Sequence, residues 1–251
     1  MKRLQRLEKH RKHRKIFVII IWNLCNQESG KGLSGLSRKV LEICLLGLFI
    51  LSIGCFPKPK TTLIPGSPED LPGCYAIFPA EPWESVHRIE ATIRGGSSSL
   101  LGVTKGEPSE RTLQSLLLSP EGFVLFDAER REDGVTIRKG VPPFDSPAFA
   151  SGLAEDVTLL FLPPKAKPTT WGKETDGTMI CKWEGPDNSQ IEITGSMNRS
   201  WRIQRRDKYG EVTKEIVLSG PFLNGLASRI EYQGFRPVPY TLRMTLIQAF
   251  P

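Results

Sequence analysis

Beyond residue 55 the chain holds one histidine, His87, and two cysteines, Cys74 and Cys181. That scarcity removes whole classes of chemistry. Two cysteines 107 residues apart have no zinc-site spacing, because a closed zinc site draws four ligands from short Cys and His clusters. A lone histidine has no second imidazole to share a metal and no positioned partner for a nucleophile. The chain also lacks a Gly-x-Ser-x-Gly elbow, a phosphate-cradling glycine loop and a dinucleotide fingerprint. No cofactor, no metal and no enzymatic activity are expected. Nor is there a run of about 20 apolar residues, the length a spanning helix needs.

Basic charge is missing where it would matter. The whole chain carries +7, but 11 of its 34 Lys and Arg and only three of its 27 acidic residues lie in 1–55, so 56–251 carries −1. A nucleic-acid partner needs a basic footprint to displace counterions from phosphate, and none is expected here.

What is present begins with an address. The eleven-residue apolar run Ile43 to Ile53 follows Arg38-Lys39, ends at Gly54-Cys55 and gives way to Phe56-Pro57-Lys58-Pro59. A basic flank, a short apolar run and a small residue before cysteine form the pattern of a lipoprotein signal peptide, in which Cys55 becomes the acylated first residue. Residues 1–54 are therefore read as a signal region, with an alternative start near Leu36 as one explanation of its unusual length. The expected place is the cell envelope, with the lipid anchor in the membrane.

Residues 55–73 hold Pro57, Pro59, Pro65, Pro68 and Pro72 and read as a proline-rich tether. Residues 74–251 read as one domain. Cys74 and Cys181 are an even pair in a compartment that tolerates disulfides; a bridge and two buried thiols are both open readings.

From Val86 onward, apolar and polar residues alternate with the period of a half-buried strand. Ile89 and Ala91 alternate with Arg88, Glu90 and Thr92, and the lone polar His87, set among polar neighbours, is expected to face solvent. Tyr240, Leu242, Met244 and Leu246 alternate with Thr241, Arg243 and Thr245. Short turns join the segments, so the expected class is mainly β: about ten antiparallel strands in a meander. One helix interrupts them. Ser146 suits its N-cap and Pro147 its first position, Phe149, Leu153, Val157 and Leu160 share a face, and Pro163-Pro164 stop it. Asp145 and the Glu155-Asp156 pair are explained by capping and a solvated helix face.

The stretch Leu116-Leu-Leu-Ser-Pro-Glu-Gly-Phe-Val-Leu-Phe-Asp-Ala128, then Val141-Pro-Pro-Phe-Asp145 and the helix into Leu159-Leu-Phe-Leu-Pro163, resembles LolA/LolB-like outer-membrane lipoproteins. The closing segment Ser228 to Ile247 is also similar to the end of that fold. The resemblance implies a curved, incompletely closed antiparallel barrel with helix over an apolar cavity, held at the periplasmic face of the outer membrane. It implies acyl chains of lipid or lipoprotein as partners, with a periplasmic carrier protein as a further one. It departs from the family's receptor members in having polar loops at Lys105 to Arg111 and Ser119 to Gly122.

On this reading the cavity is lined by Leu116, Leu118, Phe123, Leu125, Phe149, Leu153, Trp201, Tyr240 and Leu242. A slip of one residue in register would invert each strand face. The other reading is an accessory envelope lipoprotein of the same fold with a filled core.

Overall fold

The computed structural model describes residues 64–93, 95–185, 187–196 and 200–251. The signal region and Cys55 lie outside the described residues. So does the first part of the segment read as a tether.

Two antiparallel meanders build the sheet. The first runs β2 (Trp83–Ile93), β3 (Gly96–Glu107), β4 (Thr112–Leu118), β5 (Val124–Arg131) and β6 (Gly134–Gly140). The helix α1 (Pro147–Phe161) then crosses to β7 (Thr170–Lys173), β8 (Met179–Glu184), β9 (Gln190–Gly195), β10 (Ser200–Arg206), β11 (Val212–Leu223), β12 (Leu226–Gly234) and β13 (Tyr240–Phe250). β13 returns to pair with β2, which fuses the meanders into one 13-stranded antiparallel sheet. The sheet does not close, because β6 forms one edge and β1 (Ile64–Pro65) the other. The mainly β, unclosed architecture is the one expected, with three strands more than the ten counted from the sequence.

Side-chain alternation makes one face of this sheet the core. A single inward row crosses it through paired positions: Cys181, Ile193, Ile203, Ile216, Tyr232, Leu242 and Ala91. Five of these residues are almost wholly buried. Large rings on this face need room from their neighbours. A Cβ on Gly106 would sit 2.5 Å from the Trp83 ring across the β2–β3 pair. A Cβ on Gly234 would enter the Tyr240 ring in the same way.

The segment leading into the domain is docked rather than free from Ile64 onward. Ile64 and Pro65 pair with Lys173 and Gly172 of β7. A 3-10 turn over Pro68–Cys74 follows, with Pro68 at its first position, where an amide hydrogen would have no acceptor. Cys74 is disulfide-bonded to Cys181 of β8 across 5.8 Å between Cα atoms. Lys173 adds an ion pair to Asp70, at 2.5 Å.

The helix starts where its sequence says. Ser146 accepts a hydrogen bond from the Phe149 amide at 3.2 Å, and Pro147 follows it. Its most buried residues are Ala150, Ala154, Asp156, Leu159, Leu160 and Phe161. The stripe of Phe149, Leu153 and Val157 is only half-buried. Small alanines let the helix approach the sheet, and the larger side chains pack on the flanks of that contact.

Candidate functional site: an apolar groove beside the helix

Beneath its middle, α1 is fastened by polar contacts. Asp156 is 8% exposed, and its carboxylate accepts from the Tyr232 hydroxyl at 2.6 Å, from the Tyr240 hydroxyl, and from the Lys214 ammonium at 2.5 Å. Lys214 also reaches Glu155, at 2.9 Å, and Arg205 pairs with Glu155 as well. The expected solvated face at Glu155-Asp156 is therefore corrected: this acidic pair faces the sheet, because β10 and β11 place Arg205 and Lys214 opposite it. Burial chiefly, and the neighbouring Asp156 charge, push the Tyr232 and Tyr240 hydroxyls above the ordinary phenol range. For Glu155, the bonds from Arg205 and Lys214 outweigh burial, the largest single influence, and hold its pKa below the usual carboxylate value.

Beneath its C-terminal end, α1 covers a buried polar strip. Phe161 packs on Trp83 at 4.8 Å and on His87 at 6.0 Å between ring centroids. His87 is 0% exposed, against the expectation of a solvent-facing residue. The inward face of β2 holds Trp83, Ser85, His87, Ile89 and Ala91, so the histidine lies on the apolar side of the alternation. Among the described residues, both His87 ring nitrogens, the Ser85 hydroxyl and the Trp83 indole nitrogen have no hydrogen-bond partner. Burial lowers the His87 pKa to about 4. Among the described residues no carboxylate bonds to it or orients the imidazole. Among the described residues no cluster of His, Cys, Asp and Glu could hold a metal ion.

The open space lies further along the helix. A half-open groove of about 480 Å³ runs between the end of α1 and strands β8, β9 and β10. Leu159, Leu162, Pro163 and Pro164 form one wall, Trp183, Ile191, Ile193 and Ile203 the other, with Phe78 between them. Trp183 donates its indole hydrogen to the Ala166 carbonyl at 2.9 Å, so its apolar face is left for the groove. Arg111, Glu155, Lys165, Glu184, Asp187 and Arg205 also line it, but most of the lining surface is apolar.

None of the nine residues expected at the cavity lines this groove. Leu116 and Leu118 take the opposite sheet face, while Leu113, Ser115 and Leu117 point inward. Leu125 sits beside a bulge in the β4–β5 pair. Phe123, just after a tight turn, is 70% exposed. Phe149 packs edge-on against Phe126 and Phe144, and Leu153 and Leu242 are half-buried against the core. Tyr240 stacks on Tyr232 at 5.7 Å. Trp201 is buried and opposes Gly195. The residues that do line the groove were visible only as the inward members of β8, β9 and β10; no local signal marked them as left uncovered.

No family model matches the chain, and no curated protein does. Solved structures do. The chain is similar to a LolA superfamily protein from Nitrosomonas europaea at 9% identity and a TM-score of 0.47, over 72% of this chain and 91% of that one. It is also similar to a domain assigned to outer membrane lipoprotein sorting from Vibrio parahaemolyticus, at 10% identity and a TM-score of 0.45, over 72% and 90%. A DUF1329 family protein from Desulfovibrio piger follows at 11%, with a TM-score of 0.42 over 72% and 90%.

Proposed function

We propose that this protein is a lipid- or lipoprotein-binding member of the cell envelope that holds an acyl chain in the groove between α1 and β8–β10. The single observation that carries this is the groove itself: about 480 Å³, half open and lined mostly by apolar surface. That volume lies in the range of small-molecule sites, which are concave and mostly apolar. An acyl chain gains about 0.8 kcal/mol for each methylene it withdraws from water, before the cost of association. No catalytic group is needed for such binding. Acylation at Cys55 would keep the body beside a membrane; among the described residues no helix is long and apolar enough to cross one.

Native mass spectrometry of the detergent-free protein tests the proposal, paired with the groove-filling variant Ile191→Trp. Lipid adducts on the parent that disappear in the variant are expected. A parent free of adducts that also fails to take up added oleyl alcohol would contradict it.

One observation favours a second reading, an accessory lipoprotein with a filled core. The sheet face beneath α1 is occupied by the protein's own Trp83, Phe126, Phe149 and Phe161. That reading predicts no adduct on either form.

A further inference from the structure

The groove has two unlike ends. Toward the β8–β9 turn its rim carries Glu184 and Asp187. Where α1 runs into Pro163, it shares Arg111, Thr158, Leu162 and Lys165 with a smaller adjoining pocket of about 40 Å³. Arg130, Arg131 and Glu132 complete that small pocket; Arg131 pairs with Glu129 and Lys165 with Glu132.

Arg111 stands at the junction. It adopts a left-handed backbone with φ of 54°, a conformation uncommon outside glycine. Its guanidinium donates to the Pro163 carbonyl at 2.9 Å. Among the described residues it enters no ion pair, and a guanidinium has five donors to satisfy. Burial works against its charge; Glu132 offsets this in part, and Arg130 repels it. Glu132 is itself engaged, 2.7 Å from Lys165, in a pair whose side chains are both more than 60% exposed. Such an exposed pair is worth little and exchanges readily for a better partner. Arg111 and Lys165 thus stand where the small pocket and the apolar groove share their lining.

We infer that the groove takes a single-chain amphiphile with an anionic head, its chain along Trp183, Ile191 and Ile203 and its carboxylate or phosphate against Arg111 and Lys165. This rests on the groove being an acyl site, and it adds the charge and place of the head. A planar guanidinium fork suits both oxyanions.

Isothermal titration of the purified full chain with oleate, oleyl alcohol, lysophosphatidylglycerol and inorganic phosphate tests it. Oleate and lysophosphatidylglycerol should bind about tenfold or more tightly than oleyl alcohol, with an advantage that shrinks as salt rises. Arg111→Asn, which keeps a residue tolerant of the left-handed backbone, should bring oleate down to the level of oleyl alcohol and leave oleyl alcohol unchanged. Lys165→Gln, on an exposed side chain, should act in the same direction and guards against a folding defect in the first variant. Equal affinity for oleate and oleyl alcohol in the parent would overturn the inference and leave the groove reading intact. Inorganic phosphate binding as tightly as lysophosphatidylglycerol would assign the cations to free ions and overturn it too. Binding of no chain at all would remove the groove reading, and this one with it.

Discussion

The Tyr232 hydroxyl on β12 donates to the Asp156 carboxylate on α1 at 2.6 Å, across 76 residues of sequence. This bond and its neighbours tie the helix to three strands, since Lys214 lies on β11 and Tyr240 on β13. The helix has no other polar fastening of comparable burial among the described residues.

Breaking that fastening should destabilise the domain in a graded way. Tyr232→Phe removes one bond and is expected to cost about 1–2 kcal/mol. Asp156→Asn removes a charge facing a largely buried Lys214 and should cost about 2–4 kcal/mol. In urea titrations, the double variant should fall short of the sum of the two by about 0.5–2 kcal/mol. Strict additivity would show that the contacts act separately.

His87 gives the domain a pH dependence of known sign. Its folded pKa, about 4, lies below the unfolded value of about 6.5. Between those two values the unfolded chain binds the extra proton, so stability is fully present above about pH 6.5 and is lost as pH falls toward 4. Over that window the loss amounts to about 3 kcal/mol at 1.36 kcal/mol per unit. His87→Leu should flatten the pH profile of unfolding free energy in this window, because carboxylate contributions are common to both proteins. Parallel profiles would place His87 in contact with water.

The bridge between Cys74 and Cys181 closes a loop of 107 residues and fixes the entry segment to β8. Its reduction, or a double Cys→Ser variant, should cost about 2–5 kcal/mol. Thermal melts with and without reductant check this. A midpoint insensitive to reductant would mean that the edge of the sheet is held by β1 and the Asp70–Lys173 pair alone.

Much of the sheet was legible where the alternation is clean. In β13, Tyr240, Leu242 and Met244 oppose Thr241, Arg243 and Thr245 in burial as they do in chemistry. The same rule failed at β4, because Leu116-Leu117-Leu118 offers no alternation, and the inward row Leu113, Ser115 and Leu117 includes a buried polar residue. β1 and β7, of two and four residues, are too short to show a period; β7 exists through its pairing with β8, and β1 through its pairing with β7. His87 was misplaced for a related reason: its polar character suggested the wet face, while its parity with Ile89 put it in the core. The groove could not be read at all. Its walls come from the end of a helix and three strands, and which apolar side chains stay uncovered depends on how the helix crosses the sheet.

The most direct test is a methyl NMR spectrum of the isoleucine-labelled protein with a spin-labelled stearate. The account predicts broadening that is strongest at Ile191, Ile193 and Ile203, which line the groove, and that weakens through Ile216, paired with Ile203, to Ile230 on the strand beyond. Broadening confined to the exposed Ile64, Ile93 and Ile247, or no broadening at any position, would contradict it.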